Sequence, residues 1–157
     1  MDTIKTDATQ TAAICSEEFF RQTVVLERKR TERSGRAFLV IFLDVAELLK
    51  VRSRPVPVLL ESLASALGAS TREIDVKGWY GENSLVGIIC TEVNKSNRDL
   101  VIAKIKSKLG RFFDQQEAAK IKMHLVHYPE YENSSNPNLQ TRAIPELQPE
   151  RKGMFYS

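Results

Sequence analysis

One carboxylate, Asp44, ends the apolar run AFLVIFLD, and the later stretch WYGENSLV places Asn83 and Ser84 in a short turn between two strand-like segments. Phosphoryl transfer on a nucleotide requires paired carboxylates that hold Mg²⁺ against the phosphate oxygens. Asn83 offers a carbonyl oxygen but no charge, so this set would attract a divalent cation only weakly. We therefore expect neither a bound metal nor another cofactor.

A second set of residues able to do chemistry lies just ahead of that turn, at Arg72 and Asp75. An arginine can pair with guanine O6 and N7 or with phosphate, and a carboxylate can accept hydrogen bonds from the Watson-Crick edge of guanine. Lys104 or Lys108 could add a basic contact. Alternatively, Arg72 and Asp75 form a local ion pair worth about 0 to 1 kcal/mol that fixes a turn, and the lysines only solubilise a helix.

The remaining polar candidates do not form a site. His124 and His127 are three apart on a predicted strand, so their side chains should point to opposite faces and cannot bind one metal. The two cysteines, Cys15 and Cys90, form no CxxC motif, which favours a reducing, cytosolic environment. Trp79 could stack on a base, but an aromatic beside a strand is more often a core or interface residue.

Composition limits the class of protein. The chain has 157 residues, 42% hydrophobic and 27% charged, which is typical of one folded domain. A net charge of +3 gives little reason to propose nucleic acid as the main partner. No apolar run reaches the roughly 20 residues that a membrane span needs, and the first residues lack the pattern of a signal peptide. We expect a cytoplasmic protein that does not insert into a membrane.

The first half of the chain predicts a helix and a buried strand after a flexible leader at residues 1–16. Ser16 is a candidate N-cap, and Phe20, Val24 and Val25 recur at helical spacing until Ser34-Gly35 stops the helix. Residues 37–45 form a nearly continuous apolar run, typical of a strand buried on both faces. A short helical stretch follows, and two prolines in VRSRPVPV should exclude regular helix there.

The second half adds a helix, a hairpin, a helix and a strand. The helices are predicted from apolar residues at helical spacing, namely Leu60, Leu63, Ala64 and Leu67 before Gly68, then Val101, Ile105 and Leu109 within residues 94–113. Strand-like segments at residues 74–80 and 84–93 should pair antiparallel, and a last strand covers residues 120–128. This order predicts an α+β fold: a leading helix, then a ferredoxin-like or palm βαββαβ antiparallel sheet with helices on one face.

The end of the chain differs from the rest. Four of the six prolines lie from Pro129 onward, among many Asn, Ser, Gln and Glu residues. We expect residues 130–157 to be an extended tail or linker.

Residues 17–129 resemble GGDEF domains. The helix ending in RSGR, the strand ending in FLD, the RxxD motif and the Tyr-Gly hairpin occur in the order of that family. The family pattern RxxDxxxRYGGDEF matches residues 72–85 without a gap, and the positions of its last five letters are occupied by Gly81, Glu82, Asn83, Ser84 and Leu85. The resemblance implies a palm-like core shared with class III nucleotide cyclases, and active members condense two GTP molecules into cyclic di-GMP.

Against that pattern, this chain resembles a degenerate member. Asp44 occupies the place of the first metal-binding Asp, Asn83 that of an acidic metal ligand, and Ser84 that of a second acid. Glu82 replaces a glycine where the family brings its backbone close to phosphate, and a carboxylate there would repel the ligand. Arg52 falls near the guanine-reading Asn of the family. Glu47 does not restore the pair of acids, since an acid at a helix start is more often a cap or solvated. We therefore predict a catalytically inactive, regulatory domain.

Two roles for such a domain stay open. RxxD is a product-binding inhibitory site in many GGDEF domains, so Arg72 and Asp75 could make this chain a cyclic di-GMP receptor. Alternatively, the chain is a dimerisation or protein-interaction module without a nucleotide ligand, with a protein partner or a second copy bound through a helix face or sheet edge. It also resembles regulatory domains attached to bacterial exopolysaccharide machinery.

Overall fold

A computed structural model describes residues 14–71, 75–81, 84–91, 93 and 96–129. The leader up to residue 13 and the tail from residue 130 lie outside the described residues. So do three residues singled out above: Arg72, Glu82 and Asn83.

Nine helices and strands are found in the described residues. In chain order they are α1 (Glu17–Ser34), β1 (Phe38–Asp44), α2 (Ala46–Val51), α3 (Val56–Ser70), β2 (Val76–Tyr80), β3 (Leu85–Thr91), α4 (Arg98–Phe112), α5 (Gln115–Ala118) and β4 (Lys122–Tyr128). The predicted α+β order, with a leading helix before βαββαβ, is confirmed. None of the described helices is both long and apolar enough to cross a membrane.

The four strands form one antiparallel sheet in the order β2-β3-β1-β4. β1 is central, and its last residue, Asp44, lies between Leu85 of β3 and Lys122 of β4. Its side chains alternate between two cores, one on each face of the sheet, which explains why its first six residues are all buried and why its sequence is a continuous apolar run. This is the strand order and pairing of a ferredoxin-like fold, as predicted.

The sheet is covered on both faces: the helices α3 and α4 of the βαββαβ unit share one face, as predicted, and the leading helix α1, for which no face was predicted, covers the other. Leu39, Ile41 and Leu43 point into a core shared with α3 and α4. The alternate residues of β1 point into a second core that contains Phe20 and Val24 of α1. Helical periodicity identified the apolar side of α1 but could not indicate which face of the sheet that side would cover.

α1 packs closely on the hairpin because two glycines leave room for it. A Cβ added at Gly78 would lie 2.6 Å from Phe20 Cβ, and one added at Gly87 would overlap the Phe20 ring. The predicted cap is confirmed, since Ser16 Oγ accepts from the Phe19 N–H at 3.2 Å. The helix ends at Gly35, whose φ of 81° is left-handed.

The residues just before α1 also join the sheet. Cys15 donates its N–H to the Lys77 carbonyl at 2.8 Å and accepts from the Trp79 N–H at 3.0 Å. Cys15 was assigned to the leader from sequence, but it bridges the outer edge of β2. The sequence around Cys15 did not indicate this pairing, because the hydrogen bonds to an edge strand are made by backbone groups that every residue except proline has.

The prediction that the two prolines of VRSRPVPV exclude regular helix is correct for residues 52–55 and wrong for residues 56–58, where α3 begins. Pro55 is the N-cap of α3, and Pro57 lies in its first turn, where a missing N–H has no cost. α3 also continues through Gly68. Its buried side chains include Leu59 and Ala66 in place of the predicted Leu60 and Ala64, while the prediction for Leu63 and Leu67 is confirmed.

Candidate functional site

The hairpin turn and the end of β1 lie side by side. Gly81, with a left-handed φ of 61°, starts the turn, and its carbonyl accepts from the Ser84 N–H at 3.2 Å and the Ser84 hydroxyl at 2.7 Å. The Ser84 carbonyl accepts from the Val45 N–H at 3.0 Å. Asp44 is the cross-strand partner of Leu85. The fold therefore places Asp44 beside the turn that carries the signature positions.

Asp44 is held in a structural role. Its Oδ1 accepts from the Ala46 N–H at 3.0 Å, at the start of α2, whose N-cap Val45 has no side-chain oxygen to offer. Glu47 is exposed in the first turn of α2, in agreement with its interpretation as a solvated residue. Within the described residues, no group of three or more His, Cys, Asp or Glu side chains could hold a metal ion. Asp44 thus contributes one hydrogen bond to the start of α2 through Oδ1.

The described half of the RxxD motif is largely buried. Asp75, directly before β2, is 8% exposed, and Lys77, two residues later, is 7% exposed. The Lys77 ammonium donates to Thr71 Oγ1 at 3.3 Å and to the Asp75 carbonyl at 3.4 Å. Sequence analysis missed Lys77, although a lysine within a strand that faces a core is itself unusual. The Lys77 ammonium therefore contacts both Thr71 and the backbone of Asp75.

The two lysines suggested as extra contacts lie on α4. Lys104 is exposed and Lys108 is half-buried, one helical turn apart. Ile105, between them in sequence, is buried in the core, and Leu109 is buried one helical turn later. This arrangement is that of a solvated flank beside an apolar stripe.

Comparison with known proteins gives matches among solved structures. SiaD, a diguanylate cyclase from Pseudomonas aeruginosa solved with its activator SiaC, superposes with a TM-score of 0.61 at 14% identity, over 87% of this chain and 53% of SiaD. A DGC protein from Thermotoga maritima gives 0.60 at 12% identity, over 88% of this chain and 98% of that one. The coiled coil and GGDEF domain of DgcB from Caulobacter crescentus, in complex with c-di-GMP, gives 0.59 at 12% identity, over 92% and 78%.

The fold is that of a GGDEF domain. At these identities the likeness establishes the fold alone, and the chain spans about half the length of SiaD. No family model and no curated protein sequence matches the chain. The palm-like GGDEF architecture expected from the sequence is thus confirmed.

In this GGDEF fold, hydrogen bonds join the connection between α2 and α3 to Glu117 of α5. Arg54 donates from Nε to Glu117 Oε2 at 2.9 Å and from a terminal nitrogen to Oε1 at 3.0 Å. Ser53 Oγ donates to the same Oε2 at 2.7 Å. These hydrogen bonds from Arg54 and then Ser53 lower the pKa of Glu117 from 4.5 to about 2, against the opposing effect of desolvation.

The ion pair between Arg54 and Glu117 was not predicted from the sequence, although the capping box that contains Glu117 could have been. Asp114 and Glu117 form a capping box at α5, a spacing that can be read from the sequence. The Arg54 partner is 63 residues away, and no local pattern connects them. Arg52, near which the resemblance places a guanine-reading residue, is exposed and caps the end of α2 with a φ of 56°.

The histidine and aromatic predictions can also be compared with the fold. His124 and His127 lie opposite Phe42 and Leu39, which belong to the two different cores, so the histidines are on opposite faces as predicted. His127 Nε2 is 3.3 Å from an Arg98 guanidinium nitrogen. Trp79 is half-buried and packs on the α3–α4 core, in agreement with its interpretation as a core residue.

Proposed function

We propose that this chain is a catalytically inactive GGDEF-type domain with a regulatory role. The observation that supports inactivity is the use of the active-site positions for structure. Asp44 Oδ1 accepts from the first N–H of α2, and the Ser84 hydroxyl donates to the Gly81 carbonyl within the turn. Metal-assisted transfer of a GTP phosphoryl group needs two carboxylates free to bind Mg²⁺. Here Asp44 has no acid at the signature positions to pair with, because Asn83 and Ser84 stand there.

As the ligand of this regulatory domain we propose cyclic di-GMP, bound through Arg72 and Asp75. Their register relative to the hairpin supports this, because β2 runs directly from Asp75 to the turn at Gly81. The guanidinium would pair with a guanine edge or a phosphate, and the carboxylate with the guanine N–H groups. The likeness to DgcB, which was solved with c-di-GMP, agrees with a ligand of this class.

A protein-interaction module is the second candidate, and the burial of Asp75 favours it. A carboxylate that is 8% exposed must be uncovered before it can meet a guanine, and uncovering it costs free energy. SiaD, of similar fold, was solved with a protein activator, which agrees with a domain of this shape binding a protein. Dimerisation, a cytoplasmic location and a link to bacterial exopolysaccharide synthesis remain predictions.

Calorimetric titration separates the two candidates. The full chain would be titrated with cyclic di-GMP and, separately, with GTP and Mg²⁺. Arg72→Ala should weaken cyclic di-GMP binding roughly 10- to 100-fold, as expected for the loss of about 1.5 to 3 kcal/mol of charge-assisted hydrogen bonding. Arg111→Ala is the matched control, since Arg111 is an exposed arginine of α4 and its removal should leave the affinity unchanged.

The outcomes are distinct. Saturable binding that depends on Arg72 but not on Arg111 identifies a receptor. Equal loss in both variants would mean non-specific attraction of an anion to a basic protein. No heat with either ligand, at concentrations that detect micromolar affinity, would reject the receptor and leave the protein-interaction module.

A further inference from the structure

A cavity of about 340 Å³ lies between α4, the end of α5 and the strands β1 and β4. We call it the α4 cavity. Because β4 and β2 form opposite edges of the sheet, the α4 cavity is separate from Asp75, which directly precedes β2. Its lining residues are Leu43, Lys106, Leu109, Ala118, Ile121 and Met123.

Apolar side chains form most of the lining of the α4 cavity. Leu43 and Met123 are cross-strand partners, so the sheet supplies one wall, and the buried Leu109 of α4 supplies another. Ala118, Ile121 and Met123 are half-buried and pack against the core that contains Leu43 and Leu109. The cavity therefore offers apolar surface that another apolar group would remove from water, which is favourable.

Lys106 is the charged residue among those that line the α4 cavity. It is exposed and lies three residues before Leu109, which places the two side chains next to each other along α4. Within the described part of the chain, Lys106 forms no ion pair. In α5, Asp114 caps the helix and Glu117 pairs with Arg54, so neither acid neutralises Lys106. The ammonium group is therefore available to an anion.

A purely structural role for Lys106 makes a different prediction. Lysine side chains often cover apolar surface with their methylene groups while the ammonium stays in water. In that role Lys106 would only shield Leu109, and the cavity would not distinguish a negative ligand from a positive one. A preference for negative charge is therefore the property that separates a binding site from a covered surface.

We propose that the α4 cavity binds a small molecule with an apolar chain and one carboxylate. The apolar chain packs against Leu43, Leu109 and Met123, and the carboxylate accepts from the Lys106 ammonium at the surface. Small-molecule sites in proteins have volumes of about 300 to 1,000 Å³ and combine mostly apolar walls with a few polar groups that fix orientation. The carboxylate stays beside Lys106 because a charge placed among the apolar walls would lose its hydration without a partner.

Titration of the full chain with octanoate, followed by the NMR signals of its methyl groups, tests this inference. The methyl groups of Leu109, Ile121 and Met123 should shift and reach saturation. Octylamine has the same apolar chain with the opposite charge, so it should bind roughly 3- to 10-fold more weakly, as expected for an ion pair at an exposed lysine.

Two matched variants assign the charge preference to Lys106. Lys106→Met keeps an unbranched apolar side chain and removes the ammonium, so octanoate should bind roughly 3- to 10-fold more weakly while octylamine loses no affinity. Lys29→Met is the control, since Lys29 is an exposed lysine of α1, on the opposite face of the sheet, and its loss should leave octanoate binding unchanged. Both replaced lysines are exposed, so unchanged circular dichroism is expected for both variants.

Three other results would overturn the proposal. Equal affinities for octanoate and octylamine, both unchanged in Lys106→Met, would leave Lys106 as a cover for apolar surface. Equal weakening of octanoate binding in Lys106→Met and Lys29→Met would mean general attraction of an anion to a basic protein. Absence of shifts at the lining methyl groups up to millimolar octanoate would show that the cavity does not bind this class of ligand.

Discussion

Arg54 and Glu117 form a two-point ion pair, with nitrogen-oxygen distances of 2.9 and 3.0 Å. The same guanidinium donates to the Phe112 carbonyl at 3.2 Å, at the end of α4. The Arg54 side chain therefore connects the segment between α2 and α3 to both α4 and α5. The Glu117 side chain is 6% exposed, so the pair is partly shielded from solvent and from salt.

Removing the charge of Glu117 should destabilise the fold. In Glu117→Gln, the amide cannot match the two donors of Arg54, so we expect the free energy of unfolding to fall by about 1 to 3 kcal/mol. Chemical denaturation followed by circular dichroism measures the change. Glu61→Gln, on the exposed side of α3, is the control and should shift stability by less than about 0.5 kcal/mol. Equal effects in both variants would contradict the role of the ion pair.

The same pair predicts a dependence of stability on pH. Because the pKa of Glu117 is lowered in the fold from 4.5 to about 2, its contribution is fully present above pH 4.5 and is lost as the pH falls toward 2. Denaturation midpoints measured from pH 6 to pH 2 should therefore fall more steeply in the natural chain than in Glu117→Gln. Parallel curves for the two proteins would show that Glu117 does not contribute.

A methyl group at Gly87 should weaken the docking of α1 on the sheet. Gly87→Ala introduces a Cβ into the space of the Phe20 ring, and overpacking of this kind costs about 1 to 3 kcal/mol. Thermal unfolding of the variant measures the loss. In a Phe20→Leu background the added cost of Gly87→Ala should shrink, since the ring that it meets is gone. Full additivity of the two changes would contradict direct contact.

Gly110 provides the matched glycine control. It lies within α4 and has nothing within 4 Å of an added Cβ. Gly110→Ala should raise stability by about 0.5 to 1 kcal/mol, because alanine is the better helix former. The two Gly→Ala changes should therefore have opposite signs.

Repair of the hairpin alone should not restore synthesis of cyclic di-GMP. In the double variant Glu82→Gly with Asn83→Asp, Ser84 still replaces an acid and Arg52 still lies near the guanine-reading position. We expect no product above background when the variant is incubated with GTP and Mg²⁺ and the nucleotides are separated by chromatography. Product formation that disappears on adding Asp44→Asn would contradict the inactivity that we propose.

Much of the fold could be predicted because its signals are local. The continuous apolar run of β1, the turn at Gly81 and the cap at Ser16 each depend on a few neighbouring residues, and each prediction was confirmed. The resemblance assigned Asp44 and the hairpin to one signature, and the strand pairing places them side by side. Ranges at helix ends were less accurate, as at Pro57, because the first turn of a helix tolerates residues that its interior does not.

The sequence by itself determined the order of elements, the antiparallel hairpin and the replacement of the signature acids by Asn83 and Ser84. Only the tertiary structure decided which face of the sheet α1 covers, how far Asp75 is buried, and that Arg54 meets Glu117. Periodicity records which side of an element is apolar, since neighbours along the chain share it. Contacts between residues 63 apart arise from how those sides pack together, and no short pattern contains that information.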